Sequence, residues 1–189
     1  NPALQILYAR LNDTTPAWAE RAYCPWPDLA DRMRDSVVRL WTLESFAPVR
    51  ACDLWGFTLP HELCYTNVLE MLDLADVPLH AVERAGEDPV VLGGGPAVAN
   101  PWPLAPFFDA FFVGEAEEHL DAVVDALGRD GRAARLRALA TVPGVWVPGR
   151  SDRPAVRQVF TGFSTSDPVL QPIVPVLEAV HDRAVVEVM

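Results

Sequence analysis

The run Gly93-Gly94-Gly95-Pro96 directly follows the apolar stretch Pro89-Val90-Val91-Leu92. Glycines at the carboxyl end of a strand are where an α/β sheet lets its backbone approach a ligand. Counted as G-x-G-x-x-G from Gly93, the last position is Val98, so the dinucleotide fingerprint fails. A Walker loop fails too, because all 15 basic residues are arginine and the chain holds no lysine. The glycines therefore either cradle a ligand or serve only a tight turn.

Other reactive side chains give equally bounded readings. His61-Glu62 begins like a zinc-protease helix, but H-E-x-x-H needs histidine at 65 and the residue there is Tyr65. There is no G-x-S-x-G around which a serine triad could form. Cys24, Cys52 and Cys64 are odd in number and lack C-x-x-C, which excludes a zinc ribbon or a disulfide framework and points to a reducing cytoplasm. Thr58 puts a hydroxyl at the end of an apolar run, to face a ligand or to cap the next turn. Glu115, Glu117 and Glu118 are either a carboxylate cluster or the solvated first turn of a helix.

Those residues need elements to hold them, and composition says a core is available. The 189 residues are half hydrophobic with a mean hydropathy of +0.12, which argues against disorder. No apolar run approaches the length of a membrane span. A net charge of −11, with no arginine stripe carrying aromatics, argues against a general nucleic-acid surface.

Short apolar runs alternate with helical patterns, which predicts a mostly parallel α/β sheet with helices on both faces, Rossmann-like or flavodoxin-like. Predicted helices cover 2–12, 28–35, 62–75, 115–127 and 132–140; predicted strands cover 37–43, 52–58, 89–92, 110–113 and 145–147, with a possible edge strand at 79–83. Asn1-Pro2 reads as a helix start, and Ala184–Met189 as a strand with nothing closing it. The chain reads as a fragment: an α/β domain over 1–148 with its first strand upstream, an extended linker over 149–175, and the start of a further domain over 176–189.

The ordered set Pro25-Trp26-Pro27-Asp28, Leu43-Glu44-Ser45, Gly56-Phe57-Thr58-Leu59, Tyr65-Thr66-Asn67-Val68-Leu69, Gly93-Gly94-Gly95-Pro96, Asn100-Pro101 and Gly114-Glu115 resembles the N-terminal cobalamin-binding-like domain of an uncharacterised radical SAM family. The resemblance implies that Val186-Glu187-Val188-Met189 is the first strand of a radical SAM barrel, followed by a C-x-x-x-C-x-x-C loop. It also implies a parent with a 4Fe-4S cluster and S-adenosylmethionine, while this stretch lacks the cluster cysteines and is silent by itself. Thr58-Leu59 sits near the family's S-x-L position and Gly93-Gly94 at its G-G position. The implied cofactor site is thus Thr58, Leu59, Glu62, Gly93, Gly94, Gly95, Asn100 and Glu115, for cobalamin. The implied partners are the barrel of the same chain and an unknown substrate. The alternative is a ligand-free docking module with a degenerate cobalamin site.

Overall fold

The computed structural model describes residues 2–162. The expectations placed on 163–175 and on the barrel start at 176–189 lie outside the described residues.

Four strands form one sheet in the order β1 (Leu54–Thr58), β2 (Val90–Gly94), β3 (Ala110–Phe112), β4 (Val145–Trp146). β1, β2 and β3 are parallel, with Leu54 opposite Val90 and Thr58 opposite Gly94; β4 runs antiparallel to β3. Five helices accompany it: α1 (Pro2–Thr14), α2 (Pro27–Asp35), α3 (Tyr65–Leu74), α4 (Leu120–Leu127) and α5 (Arg132–Leu139). The mostly parallel α/β prediction is therefore what the chain adopts.

Strand alternation splits the core into two layers. Trp55, Phe57, Val91 and Phe111 face α2 and α3, meeting Ala30, Met33, Val68 and Leu72. Val90, Ala110, Phe112 and Val145 face α4 and α5, meeting Val123, Ala126, Leu136 and Leu139. Residues of β2 and β3 are buried on both sides, which is why these runs read as continuously apolar.

Three expected elements differ. Among the described residues no strand forms over 37–43, where a single β-bridge joins Trp41 and Pro48. Val37 takes a left-handed φ of 54° and Val38 donates to the carbonyl of Met33, so this stretch closes α2 instead of extending. The edge strand at 79–83 is a 3-10 turn at Ala81–Glu83, because buried Arg84 draws in the carbonyls of Pro78 and Leu79. The helix expected from Glu115 begins only at Leu120, since Gly114 turns the chain with φ 102° and the Glu115 amide donates to Gln158.

Candidate functional site at the strand carboxyl ends

Parallel register brings Thr58 beside Gly94 at the shared carboxyl end of β1 and β2. The chain after β1 stays close: the Leu59 amide donates to the Gly94 carbonyl, and the Leu59 carbonyl accepts from Ala97. Leu59 is buried, Thr58 half-buried, and Glu62 exposed on a 3-10 turn over Glu62–Cys64 that leads into α3. Asn100 closes a second 3-10 turn, Pro96–Ala99, and is exposed.

The three glycines answer the turn-or-cradle question differently. A Cβ on Gly93 would sit 3.0 Å from Leu59, Phe108 and Phe111, so this glycine makes room for the core. Gly95 has φ 104°, and a Cβ there would meet the Leu59 carbonyl oxygen at 2.9 Å. Gly94 alone opens to free space, with nothing within 4 Å of its Cβ direction. Two of the three are thus engaged by the protein's own packing.

Glu115 is engaged as well. Its carboxylate accepts the backbone N–H of Phe160, and Glu118 accepts the Thr161 amide and hydroxyl. Gln158 pairs in parallel with Gly114, whose added Cβ would overlap the Gln158 carbonyl. Residues 157–162, inside the stretch read as a linker, accordingly form a strap over the end of β3. The structure brings Thr58, Leu59, Gly93, Gly94 and Gly95 together and commits Glu115 to this strap.

The described residues hold no group of three or more His, Cys, Asp or Glu side chains placed to bind a metal ion. Cys24, Cys52 and Cys64 are all free thiols, and burial pushes the first two above the usual thiol range, against the thiolate a cluster needs. They do not fit an iron-sulfur cluster. Burial, followed by the nearby Glu62 charge, raises the Tyr65 phenol, which leaves it neutral at the rim. Two hollows, of about 490 and 320 Å³, are lined by Val38, Trp41 and Phe46 and by Arg50, Asp76 and Pro78; none of the candidate residues lines either.

Two features of this end escaped the sequence reading. Rings run continuously from Trp55 through Phe57, Phe108, Phe111 and Trp146 to Trp102, with centroid separations of 4.6, 5.7, 5.0, 5.8 and 5.2 Å. The last ring, Trp102, is 71% exposed, and Leu63 is 86% exposed at the start of α3's turn. The available signal was Trp102 locked between Pro101 and Pro103.

The family model described as "Radical SAM proteins, N-terminal" matches residues 3–148. The chain belongs to this family. No curated protein and no solved structure gives a match. Membership in the radical SAM N-terminal family implies a parent protein that uses a 4Fe-4S cluster and S-adenosylmethionine, and the described residues of this domain supply no site for the cluster. Among those residues no helix is long and apolar enough to cross a membrane.

Proposed function

We propose that this is a non-catalytic N-terminal domain that packs the carboxyl end of its sheet against the radical SAM barrel of the same polypeptide and covers the substrate there. Its domain spans 1–148 together with the strap at 157–162, and the residues after the strap connect it to the barrel. The observation that carries this reading is the contrast at one end of the sheet. Gly93, Gly95 and Glu115 are taken up by internal contacts, while Leu63 and Trp102 present apolar surface to solvent. A tryptophan flanked by two prolines and packed edge-on against Trp146 loses little freedom on docking, which suits it to anchor an interface.

Cobalamin at Thr58, Leu59, Glu62, Gly93, Gly94, Gly95, Asn100 and Glu115 is the second reading, favoured by the open space at Gly94 beside Thr58. A corrin ring needs a crevice, and the carboxyl ends of β1 and β2 are instead bridged by Leu59. The parent protein, titrated with hydroxocobalamin, is expected to leave the visible spectrum unchanged. In hydrogen exchange, amides 61–66 and 100–105 are expected to be protected in the parent and to lose that protection on Trp102→Asp. Cobalamin binding with a spectral shift, together with unprotected amides at both turns, would reverse the ranking.

A further inference from the structure

After β4 the chain turns back against the direction in which β4 sends it. β4 is antiparallel to β3, with Val145 opposite Phe112 and Trp146 opposite Phe111. At Val147 the chain is therefore heading for the amino ends of the parallel strands, away from Thr58 and Gly94. A tight turn follows, in which the Arg150 and Ser151 amides both donate to the Val147 carbonyl and Gly149 takes φ 69°. By Gln158 the chain lies in parallel pairing beside Gly114, at the carboxyl end of β3. The Gln158 amide donates to the Val113 carbonyl, and its own carbonyl accepts from Glu115.

The place that receives Gln158 is shaped for it. Gly114 and Gly144 take left-handed φ of 102° and 82°. A Cβ on Gly114 would overlap the Gln158 carbonyl, and one on Gly144 would stand 2.7 Å from the Gln158 Cγ, so both positions need glycine. His119 Nε2 meets the Gln158 side-chain oxygen at 3.1 Å. Phe160 is buried although it belongs to neither core layer; the Glu115 carboxylate takes its amide, and the Arg10 guanidinium of α1 lies over its ring. Holding these residues in one conformation costs about 1–2 kcal/mol of backbone entropy each. A connector that simply left the domain from the turn at 147–151 would need none of these contacts.

We propose that residues 157–162 are a positioning device: a return strand that carries the chain from the amino to the carboxyl ends of the sheet before it continues, and so selects the face on which the following barrel docks. This rests on the docking reading given above and adds what directs it. With the strap closed, the tether to the barrel starts beside the strand carboxyl ends. With it open, the tether is longer and starts from the turn at 147–151, and the effective concentration of the barrel at the docking face falls. Linkage is reciprocal, so docking in turn holds the strap closed. Gln158, Phe160, Glu115 and the two glycines act through the strap as positioning residues.

Hydrogen exchange on the parent protein and on the 189-residue chain tests this, with Phe160→Ser to open the strap from its own side and Glu115→Ala to open it from the domain side. The Gln158 amide reports the strap, amides 61–66 and 100–105 report docking, and the Val91 amide, bonded to Asp109, reports the sheet. In the unaltered proteins Gln158 is expected to exchange about 10-fold more slowly in the parent than in the 189-residue chain. In the parent variants Gln158 is expected to exchange faster and both turns to lose about 10-fold of their protection, while Val91 keeps its own. Turns that stay protected with the strap open would overturn the inference and leave the docking reading standing. A Gln158 amide unchanged in both variants would overturn it too. Turns already unprotected in the unaltered parent would overturn the docking reading, and this inference with it.

Discussion

A methyl group added at Gly93 and one added at Gly94 meet opposite surroundings, although the two residues are adjacent. At Gly93 it lands 3.0 Å from three core side chains, and at Gly94 it points into open space. Gly93→Ala is therefore expected to cost about 1–3 kcal/mol through overpacking, while Gly94→Ala stays within about 0.5 kcal/mol of the parent. Urea midpoints of the two variants measure this directly. The reverse order would mean that Gly94 needs its glycine for the fold, and that the run is a turn throughout.

Elements were legible where their residues answered to one face each. β1, β2 and β3 alternate or bury both faces, and α2 through α5 show apolar spacing, so their places could be read before the fold was known. The departures come from contacts between residues distant in sequence. The start of α4 is set by Gln158, more than forty residues on from Gly114, and no local pattern in 114–119 announces it. The turn at 81–83 depends likewise on Arg84, which donates to the carbonyls of Pro78, Leu79 and Phe107 and pairs with Asp109 at 2.9 Å. At the site, Thr58 and Gly94 were legible because strand ends are predictable, whereas the strap that engages Glu115 was not. Asp109 also receives Arg132 and the Val91 amide, tying α5, β2 and β3 at the amino ends of the strands. Burial draws the Arg84 guanidinium below its usual range, and Asp109 is the leading group that opposes this. Asp109→Ala strands a buried cation and is expected to cost about 3–5 kcal/mol. Arg135→Ala, which breaks the pair with Asp53 and an exposed hydrogen bond to the Arg129 carbonyl, is expected to cost under about 1 kcal/mol. Chemical denaturation of the two variants separates these values, and similar losses would show that Asp109 is not the tie between the elements.

Seen across the whole molecule, the strap gathers parts that do not otherwise share a core. Phe160 is buried and lies 5.0 Å beneath the Arg10 guanidinium of α1, which also donates to the Glu117 carbonyl; Gln158 meets His119 at 3.1 Å just before α4. Through these contacts α1, the end of β3 and the start of α4 are held as one body. Glu115 closes the strap with a carboxylate on a backbone N–H, a charged hydrogen bond whose loss costs about 1.5–3 kcal/mol. Glu115→Ala is therefore expected to lower the melting temperature and to speed tryptic cleavage after the exposed Arg157. Cleavage at that bond needs the strap to lift, so its rate reports the local opening separately from global unfolding. If cleavage after Arg157 is unchanged while the melting temperature falls, Glu115 supports the fold elsewhere and the strap is held by its other contacts, among them Gly114 with Gln158 and Glu118 with Thr161.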